Sequence, residues 1–411
     1  MYVLILSLQP ATMPSDLSYW LIAAPLKHGD PDIMLQDVRD DVPGVTVAKW
    51  EIPELKAGTL SNLLVLSDAL PKLDSQFTNT VSKLLDQLRT LVSDDPSKLA
   101  QHARINELPV EEYLLGNGEG FKWDKSRWGQ EGKVDEVVGA LKKEIESIDA
   151  VQKTKYQSYQ ISKGKLTQIQ RNQSANLSSR SLLGIVQKDH LVPDSEYLET
   201  LIFAVPKNSV KDWNEKYERL TSMVVPRSTQ QITADDDYVL QTVTVFKKVR
   251  DEYIHKCREN KFIIREFTWD DHALEKLKQE TADLEVEEKE LWTDLLKLTR
   301  VNFSEAYQVL AHLKTINLFV ESVLRYGLPA DYAGVIIKPD SKTAAKTLRT
   351  INESYANLAL SSSRNSKKGK GKDKSSSGGG VGEEVGGEFA SVMEAEYYNM
   401  VFVELPMVVT R

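Results

Sequence analysis

Apolar residues recur along this chain at two spacings, and each change of spacing marks a boundary. "LSYWLIAAPL" (17–26) is an almost unbroken apolar run, and "GVTVAKWEIP" (44–53) alternates; both predict strands. "GTLSNLLVLSDALPKLDSQFTNTVSKLLDQLRTLV" (58–92) turns to steps of three and four, with Pro71 predicting a break into two helices. From Lys133 the pattern becomes a heptad seam of Val134, Val138, Leu141, Ile145 and Ile148. It continues, weaker and more polar, through Gln152, Lys155, Tyr159, Ser162, Leu166 and Ile169. A second seam runs Leu274, Leu277, Thr281, Leu284, Glu288, Leu291, Leu295, Leu298. Each seam predicts a helix about 45–60 Å long. Gln152, Thr281 and Glu288 interrupt the apolar phase and mark where the pair is expected to yield.

The block between the seams mixes both patterns. "YLETLIFAVP" (197–206), "YVLQTVTVF" (238–246) and "KFIIREFTW" (261–269) predict strands. Helices are expected over 207–220, capped by Ser209, and over 245–260. After the second seam, "NFSEAYQVLAHLKTINLFVESVLRYGLP" (302–329) predicts a separate core helix. Asn302 and Glu305 would form its capping box, and Gly327 and Pro329 its end. "EYYNMVFVELP" (396–406) reads as a last strand that closes a sheet begun near the N-terminus.

These elements imply an α+β fold shaped as an elongated dumbbell. A foot comes from both chain ends (13–132 and 301–411). A neck of two long antiparallel helices (133–171 and 269–300) leads to an inserted α/β head (172–268). The tract 361–387, rich in Lys, Ser and Gly, is expected to be a disordered, solvated insertion; five lysines fall in 367–374. "MYVLILSLQPATM" lacks the basic start of a signal peptide, so the ordered chain is expected to begin near Met13.

Composition narrows the function classes. With 411 residues, 41% hydrophobic, the chain can build two or three cores, and a net charge of −8 gives no global basic field for nucleic acid. The single Cys257 rules out an intramolecular disulfide, fits a reducing compartment and has no nucleophile's partner in view. No run is apolar and long enough to span a bilayer, so the chain reads as soluble.

Catalytic constellations are not found. There is no GxxxxGK[ST] cradle, and "GNGEG" (116–120) reads as a loop. Six histidines lack HxH or HxxxH spacing. "ADDDY" (234–238) reads as a turn before a strand, and Ser195 in "DSEY" (194–197) has no paired histidine. "MVVPRST" (223–229) is either an exposed ridge that recognises a partner or an edge strand stopped by Pro226.

The combination of "YWLIAAP", "IPELKAGTLSNLLVLSDALPKLD", "DSEYLETLIFAVPK", "MVVPRST", "RENKFIIREF" and "NFSEAYQVLAHLKTINLFVESVLRYGLP", in that order, resembles the C subunit of the vacuolar-type proton-pumping ATPase (V-ATPase), and a fungal member of it. "FKWDKSRWG" (121–129), the first twelve residues and the Lys/Ser/Gly tract depart from the family pattern. The resemblance implies a non-catalytic stator component with no cofactor. It would bridge the peripheral stalks, built of the E and G subunits, to the N-terminal domain of the membrane sector's a subunit. It would sit on the cytosolic face of the vacuolar membrane and leave when the pump disassembles. Trp213, Tyr217 and Arg227 are the expected partner-binding anchors, because exposed aromatics and arginine dominate hot spots. A free-standing cytoskeletal or scaffold linker is the alternative; an enzyme is a distant third.

Overall fold

The computed structural model describes residues 18–26, 30–116, 121–129, 132–192, 195–270, 272–328, 332–356 and 398–408. The expectations about the first twelve residues, most of "GNGEG", Pro329 and the 361–387 tract lie outside these residues. In chain order the elements are β1 (Ser18–Pro25), α1 (Pro31–Asp41), β2 (Thr46–Trp50), α2 (Leu60–Leu91), α3 (Pro96–His102), β3 (Arg104–Ile105), β4 (Leu108–Pro109), α4 (Val110–Leu115), α5 (Lys125–Trp128) and α6 (Val134–Ser174). There follow β5 (Leu198–Pro206), α7 (Val210–Lys216), β6 (Gln230–Ala234), β7 (Tyr238–Phe246), α8 (Arg250–Glu259), β8 (Ile263–Arg265), α9 (Ala273–Tyr326), β9 (Tyr332–Lys338), α10 (Ala344–Ser354) and β10 (Val401–Pro406). The chain divides into two compact units, Met1–Thr154 with Leu296–Arg411, and Lys155–Leu295. Both divisions fall inside a long helix, α6 and α9.

In the first unit an antiparallel sheet of order β10-β1-β9-β2 joins strands from opposite ends of the sequence. The apolar run of β1 is continuous because both faces of the sheet are covered. Tyr19, Leu21 and Ala23 enter one core with α2, α6 and α9, while Trp20, Ile22 and Ala24 enter another with α1 and α10. Gly334 on β9 is required by a close approach: a Cβ there would lie 2.8 Å from the Trp50 carbonyl oxygen.

Two helix boundaries differ from expectation. α2 runs unbroken through the exposed Pro71, with Thr59 accepting the Asn62 N–H at its start. Buried Leu63, Leu66 and Leu70 before the proline, and Phe77, Val81, Leu84 and Leu88 after it, pack on one core. Their burial outweighs a helix-interior proline cost of about 3 kcal/mol. Likewise Asn302 caps nothing, because it lies inside α9, whose 54 residues run about 80 Å. The second seam and the core helix are one element, and Glu305 pairs with Arg127 at 2.6 Å instead of with a cap. The expected stop at Gly327 is present, at φ +84, with its N–H bonded to the Val323 carbonyl.

The polar positions of the seams are not alike. Gln152, 3% exposed, donates to Gln87 Oε1 (2.8 Å) and Thr299 Oγ1 (2.7 Å) and accepts from Asn302 Nδ2 (2.9 Å). This is a satisfied buried network tying α6 to α2 and α9, not a soft point. Gln152→Leu is expected to lower stability by about 1–3 kcal/mol, because it strands buried polar groups on its neighbours. Urea unfolding checks this; an unchanged midpoint would show that the network contributes nothing net.

In the second unit the sheet order is β6-β7-β5-β8, again antiparallel. Its core gathers Phe203, Val205, Trp213, Val243, Tyr253 and Phe262. The expected strand over 261–269 shortens to Ile263–Arg265, and the expected helix over 207–220 to Val210–Lys216. Ser209 occupies the N-cap position of α7 without a side-chain cap bond. Of the seam positions in this unit, Tyr159 and Ser162 are buried, Leu166, Leu277, Leu284 and Leu291 half-buried, and Lys155 exposed.

Candidate partner-binding surface

The second unit leaves three large apolar side chains exposed near one end of the β5–β7 pair. Tyr197 (65% exposed), Met223 (51%) and Phe246 (38%) are large side chains left in solvent. Backbone bonds hold their main chains close: the Phe246 N–H donates to the Met223 carbonyl (3.2 Å), and the Lys247 N–H to that of Tyr197 (2.9 Å). Val224 bridges Val245, and the Val225 N–H donates to the Thr244 carbonyl, so the 223–229 loop is tied to β7 along its length.

That loop holds two non-glycine residues in the left-handed region, Met223 at φ 65 and Arg227 at φ 54. Each such residue costs about 1–3 kcal/mol unless its surroundings enforce it. Glu218 supplies part of the enforcement, accepting the Arg227 N–H (2.9 Å) and the Tyr217 hydroxyl (2.7 Å). The Arg227 backbone bond, then the Tyr217 hydroxyl, hold the Glu218 carboxyl below the usual carboxylate range. The result is an exposed ridge, with Arg227 in solvent. Met, Tyr and Arg displayed on a rigid backbone match the residue types enriched in interface cores.

Two of the three expected anchors are corrected. Trp213 is fully buried, donating Nε1–H to Thr229 Oγ1 at 2.9 Å and meeting Phe262 edge-on. Tyr217 is 5% exposed, and its carbonyl accepts the Tyr253 hydroxyl. Both rings belong to the core, so neither is offered to a partner; only Arg227 stands at the surface. Tyr197, Met223 and Phe246 escaped the sequence reading because each sits at or beyond a strand end, where alternation no longer says which face is covered. Met223 did carry a signal, as the first residue of the "MVVPRST" stretch.

The chemistry of the remaining candidates is structural. Cys257 is buried, and burial pushes its thiol up to about 12, far from nucleophilic. Asp235 of "ADDDY" accepts the N–H groups of Asp237, Tyr238 and Leu177, which makes it a turn. Ser195 Oγ accepts the Tyr197 and Leu198 N–H groups. Among the described residues no three His, Cys, Asp or Glu side chains are placed to hold a metal ion.

The sequence model of the V-ATPase C subunit family matches residues 19–401. The chain belongs to that family. The V-type proton ATPase C subunit of Manduca sexta is 37% identical over 347 residues, covering 83% of this chain and 88% of that one. The corresponding C 1 subunit of Xenopus laevis is 37% identical over 313 residues, covering 76% and 81%. The C subunit of Caenorhabditis elegans is 35% identical over 340 residues, covering 83% and 88%. The solved cytoplasmic N-terminal domain of the I subunit, a homolog of the V-ATPase a subunit, aligns over 80% of this chain and 96% of that one. At 12% identity and a TM-score of 0.28 that likeness carries no argument. Among the described residues no helix is long and apolar enough to cross a membrane.

Proposed function

We propose that this chain is a non-catalytic stator component of the V-ATPase. It bridges the peripheral E–G stalks of the ATP-hydrolysing sector to the membrane sector, at the N-terminal domain of the a subunit, on the cytosolic face of the vacuolar membrane. The observation that carries the reading is the C subunit family match, which runs through both compact units. The physical logic is torque: hydrolysis would spin the stator with the rotor unless a stationary frame resists. Helices such as α6 and α9 suit that task, since axial hydrogen bonds resist stretching. Several separate, individually modest grips give avidity that collapses when one is lost, which suits reversible assembly. We assign the ridge of Tyr197, Met223, Phe246 and Arg227 to a stalk grip.

The test is capture of the E and G subunits by the full-length chain from detergent-free cell extracts. Wild type should retain both. Tyr197→Ala/Phe246→Ala should retain about tenfold less, the scale of an aromatic hot spot. Capture of neither by wild type would overturn the stator reading, whereas equal capture by the variant would overturn only the assignment of the ridge.

A further inference from the structure

Within Lys155–Leu295 a groove of about 410 Å³ opens between α9 and the turn that follows α6. Sites for small molecules span roughly 300–1,000 Å³. The turn side is pinned. Arg265 donates to the Ser178 carbonyl at 2.5 Å and to the Arg180 carbonyl, and Asp235 accepts the Leu177 N–H at 2.5 Å. Gly184 adopts φ +83, a conformation that favours glycine, and faces the Leu274 side chain of α9.

The floor is apolar, and two cations and one carboxylate line it. Leu183 and Ile185 face Leu274 and Leu277, and Leu274 stays 37% exposed. Arg180 and Lys278 line the same groove, both exposed, and neither has a carboxylate at ion-pair distance among the described residues. The one lining carboxylate, Glu285, stands seven residues, about 10 Å, farther along α9 than Lys278.

We propose that this groove binds a small amphiphilic carboxylate, its head at Arg180 and Lys278 and its tail on the leucine floor. A carboxylate satisfies the two cations, and an alkyl tail removes the leucines from water. A simple anion does only the first, a neutral chain only the second, and a cationic amphiphile is repelled. The site is independent of the stator assignment.

Fluorescence titration of the full-length chain with a dansyl-labelled undecanoate tests it. Saturable binding is expected, displaced by dodecanoate below its micellar range and not by dodecyltrimethylammonium. Arg180→Glu/Lys278→Glu changes two exposed side chains, leaves helical circular dichroism intact, and should weaken the probe at least about tenfold. No saturable binding by the unaltered chain, displacement by the cationic detergent, or unchanged affinity in the double variant would each overturn the proposal.

Discussion

Asp74→Asn is expected to destabilise the protein by about 1–3 kcal/mol, the cost of giving a buried ammonium a neutral acceptor in place of a carboxylate that is itself 28% exposed. The Lys314 ammonium, on α9 with a side chain 7% exposed, donates to the Asp74 carboxylate of α2 at 2.8 Å. Around it α9 is sealed: Leu310, Leu313, Ile316 and Leu318 are at most 1% exposed. Without the Asp74 charge, the Lys314 ammonium is left with a weaker, neutral acceptor or must reach water by local opening, and each costs free energy. Lys314→Met/Asp74→Leu should be much milder, because it removes the charge together with the need for a partner. Guanidinium unfolding of the three chains measures both. If Asp74→Asn shifted stability by less than about 1 kcal/mol, the pair would be behaving as a solvated surface contact.

Acid should weaken the fold through His312. The imidazole is 2% exposed among Phe121, Trp123 and Trp128. Nδ1–H donates to the Gln308 carbonyl (2.7 Å) and Nε2 accepts the Asp124 N–H (3.2 Å), which uses both nitrogens of the neutral ring. Burial pushes its pKa down from 6.5 to about 4. Between those values the unfolded chain binds a proton that the folded one refuses, so stability rises with pH. The contribution is whole above the unfolded value and is lost as pH falls through 6.5 toward 4. The loss attributable to this residue is about 2 kcal/mol by about pH 5 and about 3 kcal/mol at the limit. His312→Gln should start less stable and show a flatter slope across that window. Parallel slopes for the two chains would place the acid sensitivity elsewhere.

That site shows where reading the sequence stops. "FKWDKSRWG" looked like a departure from the family pattern, and its aromatics had no periodicity to explain them. In the structure Phe121 stacks on Trp50 and packs, with Trp123 and Trp128, around a histidine nearly two hundred residues away. Irregular segments make their contacts through long-range partners, so local spacing carries no record of them. The binding surface was half legible for a related reason. Arg227 and the "MVVPRST" ridge stood out by composition, but Trp213 and Tyr217 have the residue types of an anchor and of a core alike. Only their neighbours decide which.

The sequence by itself determined the kind and order of the elements with strong periodicity, while α1, β9 and α10 went unread. Alternating or heptad spacing states that one face of a segment is buried, and that is a local property. It also determined the family, whose motifs lie along most of the chain. Tertiary structure decided which elements merge and what covers each face. α2 crosses Pro71 and α9 crosses Asn302 because packing on both sides outweighs a local stop signal worth one to a few kcal/mol. Gln152, polar in an apolar seam, became a fastened joint only because Gln87, Thr299 and Asn302 meet it from two other helices. Periodicity reports that a face is hidden from water; the identity of what hides it is a property of the assembled core.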